Sequence, residues 1–359
     1  MTGNQGTDHT TEMLGDSLPS RVATHNPAVA HQSEAPVFVL GCPRSGTTLL
    51  YHMLLSAGNF AVYRAESNVF NLLAPHFGDL RSAANRRNLV DVWLHSKLFR
   101  VSGLDPQQIR QKVVAQCQSS GDFLRLVMGD IARRQGVRRW ADCTPEHLLY
   151  IPEIKRQIPG ALIIHILRDG RDVALSYAKQ GWAHPLPWHS GADLYVAGLY
   201  WRWMVRQGRI HGKGIGADYR EVYFEDLVTK PRETLAELSS FIGQELDYDH
   251  ILKVGIGSVS EPNTSFAASD GKQHFNPVGR WKAKRSEQEL AELETLIADV
   301  LQELGYELAG NTSQTIDASR LARMRNTYEL WFDAKFWLRN RSSLGRFVNL
   351  GAIEIENSR

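Results

Sequence analysis

Strands that alternate with helices along the chain predict an α/β fold. It is read as a three-layer, P-loop-like arrangement in which helices flank a central, mainly parallel sheet. Two runs carry the prediction. Residues 37–40 are a short apolar run between Pro36 and Gly41, and a run with helical spacing follows at once through Leu49, Leu50, Tyr51, Met53, Leu54 and Leu55. Residues 161–167 are apolar nearly throughout, the pattern of a parallel strand covered on both faces. Helical stretches recur between such runs, and no internal repeat is visible.

Taken in order, residues 1–35 are polar and aperiodic, which predicts a disordered or loosely attached arm. The main domain is expected over 36–309. Alternation in Phe60, Ala61, Val62 and Tyr63 predicts a short second strand that leads to Glu66. Residues 68–135 read as an irregular helical insertion, in which Asp105-Pro106 opens one helix. Residues 138–142 read as a strand feeding Cys143-Thr144-Pro145 and a helix to about Gln157. The strand at 161–167 ends at Arg168-Asp169-Gly170-Arg171-Asp172, and a helix runs on through Ser176 and Tyr177.

Gly198, Trp201, Met204 and Val205 share one side of a further helix, and residues 221–224 form another strand. Pro231 opens a helix that buries Leu235, Leu238, Phe241 and Ile242 and stops at Gly243. Ser286 and Glu289 make a capping box, ahead of a stripe of Leu290, Leu293, Ile297, Val300 and Leu304 and a stop at Gly305. Residues 310–359 are expected to form a basic, aromatic C-terminal helix and tail. Leu321, Met324, Tyr328, Trp331, Phe332 and Phe336 fall near one face, among many arginines. The preferred reading is a helix docked on the protein's own core or on a homodimer partner. The alternative is an interfacial helix on an anionic membrane surface.

The 359 residues are 43% hydrophobic and 22% charged, with a formal net charge of +2, an ordinary globular composition that gives no argument for nucleic-acid binding. The three cysteines, Cys42, Cys117 and Cys143, form no CxxC pair, which argues against a disulfide framework or a structural zinc site. No apolar run approaches membrane-spanning length, and the first 35 residues lack a hydrophobic leader. The expected location is cytoplasmic, peripheral at the membrane if the C-terminal helix is interfacial.

The chemistry is concentrated in Gly41-Cys42-Pro43-Arg44-Ser45-Gly46-Thr47-Thr48. A strand, a glycine-bearing turn and a helix N-terminus make an anion cradle, because free N–H groups and the positive end of the helix dipole point at one spot. Gly41 and Gly46 have phosphate-loop spacing, but Thr47 stands where a Walker lysine would be, and Arg44 is the cation that remains. This disfavours a P-loop kinase or nucleotidase.

Cys42-Pro43-Arg44-Ser45-Gly46-Thr47-Thr48 resembles the 5′-phosphosulfate loop of sulfotransferases that use 3′-phosphoadenosine-5′-phosphosulfate (PAPS). Its arginine is similar to that of the tyrosylprotein and many bacterial enzymes. Further motifs follow in the family's order over roughly residues 36–305. Arg168, at the carboxyl end of the best strand, and Ser176, eight residues later, resemble the 3′-phosphate site. Tyr223-Phe224-Glu225-Asp226-Leu227 resembles the segment that contacts adenine, with Phe224 in place of a tyrosine. Gly279-Arg280-Trp281-Lys282 resembles a late segment that closes over the nucleotide, with Arg280 as its contact. His274-Phe275-Asn276 stands where the cytosolic enzymes have an Arg-Lys-Gly triplet.

The resemblance implies in-line transfer of a sulfuryl group to a hydroxyl or amine acceptor, releasing 3′-phosphoadenosine-5′-phosphate, with no metal required. The insertion at 68–135 is the expected acceptor side, and carbohydrate, lipid, small phenol and peptide tyrosine are all candidate acceptors. Glu66 is the expected general base, since its distance from the loop arginine is similar to that of the tyrosylprotein enzymes' glutamate; His147 is the competing base. The family's lysine in the segment Asp142-Cys143-Thr144-Pro145 is replaced here by Cys143, which supplies no cation. Arg44 alone, or Lys155 or Lys179, would have to serve. A relative that binds PAPS without turnover is the remaining alternative.

Overall fold

The structure is a computed structural model that describes residues 1, 34–260, 277–283, 286–309 and 317–355. The arm expected over 1–35 lies outside the described residues except for Met1, Glu34 and Ala35, and so does His274-Phe275-Asn276. Four strands, β1 (Val37–Leu40), β2 (Ala141–Asp142), β3 (Leu162–Leu167) and β4 (Tyr219–Tyr223), form one sheet in the order β2-β1-β3-β4. Every pairing is parallel. Side chains alternate across a strand, and both faces are covered. Phe38, Leu40, Ile163 and Leu167 join one apolar cluster, while Val37, Val39, Leu162, Ile164 and Ile166 join another.

The helices are α1 (Thr47–Ser56), α2 (Ala74–Phe77), α3 (Ala83–Leu94), α4 (Lys97–Ser102), α5 (Pro106–Gln116), α6 (Ser120–Arg134) and α7 (Ile151–Gln157). After β3 come α8 (Gly170–Lys179), α9 (Asp193–Lys213), α10 (Phe224–Thr229), α11 (Pro231–Ile242), α12 (Tyr248–Val254), α13 (Glu287–Glu303) and α14 (Ala318–Arg341). The local chemistry explains their ends. Asp105 caps α5 through Gln108 N–H, Gly243 ends α11 in the left-handed region, and Ser286 and Glu289 make the reciprocal capping box of α13. The three layers and the parallel sheet are those expected from the alternation.

Two strands are shorter than the sequence suggests. Phe60–Tyr63 is not a strand; it touches Arg139 through a single bridge. The side-chain amide of Gln135 takes both Val62 N–H and Val62 C=O, so a side chain replaces the next rung of the ladder. The strand expected at 138–142 is reduced to Ala141–Asp142.

The C-terminal helix is docked on the chain's own core by one face. Leu321, Met324 and Tyr328 are buried against α9 and α13. Trp203 Nε1 donates to Asp333 at 2.8 Å, Leu186 N–H donates to the Tyr328 hydroxyl at 2.8 Å, and Arg202 pairs with Glu329. No described helix is long and apolar enough to cross a membrane.

Candidate active site

The loop between β1 and α1 is shaped by two constraints. Gly46 sits at φ 99°, and a Cβ there would lie 2.3 Å from the Phe224 ring, so only glycine fits both the backbone and the space. Gly41 is closed in by β3, since a Cβ would lie 2.7 Å from Ile166 C=O. The turn aims the first N–H groups of α1 outward, and no side chain caps them. Thr47 turns its hydroxyl back to the Cys143 thiol. Ser45 Oγ is buried without a hydrogen-bond partner.

Arg44, Ser176, Arg168 and Arg280 converge on this loop. Arg44 Nε donates to Ser176 Oγ at 2.9 Å, and Arg168 Nη1 donates to Arg44 C=O at 3.0 Å. The sequence reading treats the Arg44 and Arg168–Ser176 regions as separate anion sites; the structure joins them into one cluster. Burial lowers the guanidinium pKa of Arg44 and of Arg280, and in each the positive charge of Arg168 lowers it further. Arg168 is the deepest of the three. Its own pKa is lowered by burial, with partial relief from Asp172, Glu225 and Asp169. Its Nη2 donates to Pro277 C=O at 2.7 Å, Asp172 stands 4.0 Å away, and Nε is buried without a partner. Partly buried, mutually repelling cations near one helix N-terminus, with Arg168 Nε and Ser45 Oγ unpartnered, form an arrangement able to take a highly charged anion.

The segment from Gly279 to Trp281 is clasped by the start of α8. Asp172 accepts from Gly279 N–H at 2.8 Å and from Trp281 N–H at 3.0 Å, and Trp281 Nε1 donates to Asp169 at 3.1 Å. Arg280 is thereby held at the cluster. Phe224 has a different part from the one expected. Its ring is buried between Gly46 and the Arg168 guanidinium, 4.3 Å from the centroid, so it offers no open face for a base to stack on. It props Arg168 instead. Tyr223 is half-buried and packs edge-on against Tyr306.

Beside the loop lies a cavity of about 800 Å3, with Pro43 of the loop in its wall. Glu66, Asn68, Asn71 and Glu146 form its polar floor. Asn71 Nδ2 donates to Asn68 at 3.1 Å and to Glu146 at 3.3 Å, and the Tyr200 hydroxyl donates to Glu146 at 3.0 Å. Much of the rest is aromatic, with Tyr177, Trp182, Trp203, Trp331, Phe332 and Phe336, alongside aliphatic and proline residues and the cations Lys335 and Arg339. Trp182 lies 5.8 Å from the Arg44 guanidinium, which ties the cavity to the anion cluster. The helical insertion contributes only its first turn to this wall; most comes from the 182–187 loop, α9 and α14.

Glu66 keeps an exposed edge in the cavity, yet the protein packed around it pushes its carboxyl up to about 7, helped by the charges of Asp142 and Glu146. His147 is fully buried and lines none of this cavity. Its Nδ1 pairs with Asp142 at 2.9 Å, and its Nε2 accepts Phe70 N–H at 3.1 Å. With both nitrogens used, it has none to offer an acceptor's proton. It holds Asp142 and the π-helical turn Val69–Leu73 in register, which corrects its placement among the catalytic candidates.

Cys143 is buried under Thr47, and burial raises its thiol pKa well above the ordinary range, with Glu66 and Asp142 adding to the rise. It stays neutral. Lys155 does not compensate, since it is bound to Ala161 C=O and Asp218. Lys179 is exposed at the end of α8.

Comparison with known proteins identifies the family. Residues 36–248 match the profile described as the sulfotransferase family. The chain belongs to that family. A Caenorhabditis briggsae relative with the provisional name protein-tyrosine sulfotransferase is 25% identical over 287 residues, 77% of this chain and 91% of that protein. One from Caenorhabditis elegans, with the same provisional name, is 25% identical over 167 residues, 45% of this chain and 63% of that protein. Among solved structures, the sulfotransferase domain of the Synechococcus PCC 7002 olefin synthase superposes with a TM-score of 0.48 at 20% identity, covering 76% of this chain and 95% of that domain.

Glu146, Asn68, Asn71, Tyr200 and the part of α14 in the cavity wall escape sequence reasoning. Glu146 has a signal in hindsight, as the neighbour of His147. Asn68 and Asn71 come from one segment and Tyr200 from another, with no shared spacing, while the α14 residues share a helical face whose meeting with this cavity the spacing does not show.

Proposed function

We propose that the protein transfers a sulfuryl group from PAPS to a hydroxyl or amine acceptor and releases 3′-phosphoadenosine-5′-phosphate. The observation that supports this best is the cation cluster itself. Arg44, Arg168 and Arg280 stand together with an unpartnered Arg168 Nε and Ser45 Oγ, which fits a donor bearing phosphate at both its 5′ and 3′ positions. PAPS supplies an activated sulfuryl group on a 5′-phosphate. The α1 N–H groups, Arg44 and Thr48 would bind that 5′-phosphate and stabilise the charge that grows on its departing oxygen. Arg168, Ser176 and Arg280 would hold the 3′-phosphate.

Glu66 faces the cavity and is poised near neutrality, the right range to accept the acceptor's proton as the new oxygen–sulfur bond forms. Asn68 and its partners Asn71 and Glu146 keep the floor around it fixed. The aromatic part of the wall favours an acceptor with an apolar, ring-bearing or acyl body. Among the described residues no group of three or more His, Cys, Asp or Glu side chains could hold a metal ion. Arg44 and the helix N-terminus would stabilise the charge on the departing oxygen.

A titration tests the reading. 3′-Phosphoadenosine-5′-phosphate should raise the melting temperature, with ATP and AMP doing so far less. Equal stabilisation by AMP would remove the 3′-phosphate assignment.

A further inference from the structure

Helix α14 is apolar on two sides, and the fold uses only one of them. Its inward side, at positions 321, 324, 328, 332 and 336, is packed on the core. Positions 330, 334, 337, 338 and 341 repeat at i, i+4, i+7, i+8 and i+11, so they share another face. That face points to solvent: Leu330 is 71% exposed and Trp337 58%. The 3-10 turn Ser343–Phe347 prolongs it with exposed Leu344 and with Phe347, which is 75% exposed. Isolated exposed apolar residues are ordinary, but a run of this kind on one element is a contact surface.

Charge selects the occupant. Residues 334–353 contain Lys335, Arg339, Arg341 and Arg346 and no Asp or Glu. Arg339 turns inward to Glu146 at 3.7 Å. Lys335, Arg341 and Arg346 are exposed, and no carboxylate lies within ion-pair distance of them among the described residues. Arg346 reaches only Ser343 C=O and the neighbouring Phe347 ring. A two-fold contact with a second copy would set these cations against themselves, because the same patch meets itself across a two-fold axis. An anionic bilayer meets both demands. Its interface takes up tryptophan, leucine and phenylalanine side chains, and its headgroups neutralise the cations.

We propose that the outward face of α14 and the turn that follows it form a docking surface for an anionic lipid membrane. The cavity opens beside this surface. Trp331, Lys335 and Ala352 both line the cavity and are exposed, so they mark its mouth. A docked molecule would hold that mouth close to the headgroups. The proposal does not depend on the reaction assigned above, and its test needs no turnover.

The test is co-sedimentation of the full chain with phosphatidylglycerol/phosphatidylcholine vesicles and with phosphatidylcholine vesicles alone, with light scattering of the free protein. Binding is expected on the anionic vesicles, weakening as salt is raised. The pair Trp337→Ser with Phe347→Ser, and separately Arg341→Glu with Arg346→Glu, should each reduce binding at least about tenfold at an unchanged melting temperature. All four side chains are exposed, so the fold should tolerate the changes. Absence of binding to the anionic vesicles overturns the proposal. So does binding that both double variants retain. A dimer that the Trp337→Ser/Phe347→Ser pair dissociates, with no vesicle binding, would reassign the surface to self-association.

Discussion

Arg44 Nε donates to Ser176 Oγ at 2.9 Å, a bond between the glycine loop and α8 that spans 132 residues of sequence. Arg168 joins the pair by donating to Arg44 C=O at 3.0 Å. The side chains proposed for the two ends of the donor nucleotide therefore touch one another. A change at one end should be felt at the other.

Arg168→Ala is expected to weaken 3′-phosphoadenosine-5′-phosphate binding by about 2–3 kcal/mol, the worth of a lost charge-assisted pair. AMP binding should change much less. Calorimetric titration of the two nucleotides against wild type and variant measures both, and an equal loss for AMP would move Arg168 out of the 3′-phosphate site.

Glu66→Gln is nearly isosteric and should leave nucleotide affinity unchanged while lowering kcat by about 10²–10⁴, the usual worth of a positioned base. His147→Asn should act differently. It disturbs the link from Asp142 to Phe70 N–H, so it should lower stability by about 1–3 kcal/mol, with a smaller effect on kcat. Thermal melts run beside single-turnover rates separate the two. Normal turnover in Glu66→Gln would remove Glu66 as the base.

The raised pKa of Glu66 predicts a pH profile. Protein packed around the carboxyl pushes it up to about 7, helped by the charges of Asp142 and Glu146, while one edge stays open to the cavity. A base works only when ionised, so kcat/KM should fall as pH drops below about 7, with a slope of one proton. Glu66→Gln should lack that limb. A limb that survives in the variant would belong to another group.

Cys143→Ala tests whether the missing lysine matters. The thiol is neutral and packed among apolar side chains, so its loss should cost about 1 kcal/mol of stability and little turnover. A large loss of turnover at unchanged stability would give the thiol a catalytic part.

The sheet and the loop were legible because their signals are local. Residues 161–167 are apolar for both faces of a parallel sheet, and Gly46 answers to one left-handed backbone angle at the start of α1. The partners of the site were less so. His147 has the composition of a base, and only the structure shows both nitrogens occupied. Phe224 has the composition of a stacking platform, and only the structure shows Arg168 on its ring. The sequence reading places the acceptor side in residues 68–135, whereas in the structure α14 returns from the far end of the chain to line the cavity with Trp331, Phe332 and Phe336. Neither periodicity nor spacing records which separate elements will meet.

The measurement that bears most directly on the proposed reaction is transfer of labelled sulfate from PAPS, with acceptors drawn from sugars, lipid alcohols, phenols and tyrosine peptides and products read by mass. The account predicts that one acceptor class gains a single sulfuryl group, with one 3′-phosphoadenosine-5′-phosphate released for each product, and that Glu66→Gln largely abolishes the gain. Label that stays on PAPS with every acceptor, while the γ-phosphate of ATP is transferred, would contradict it.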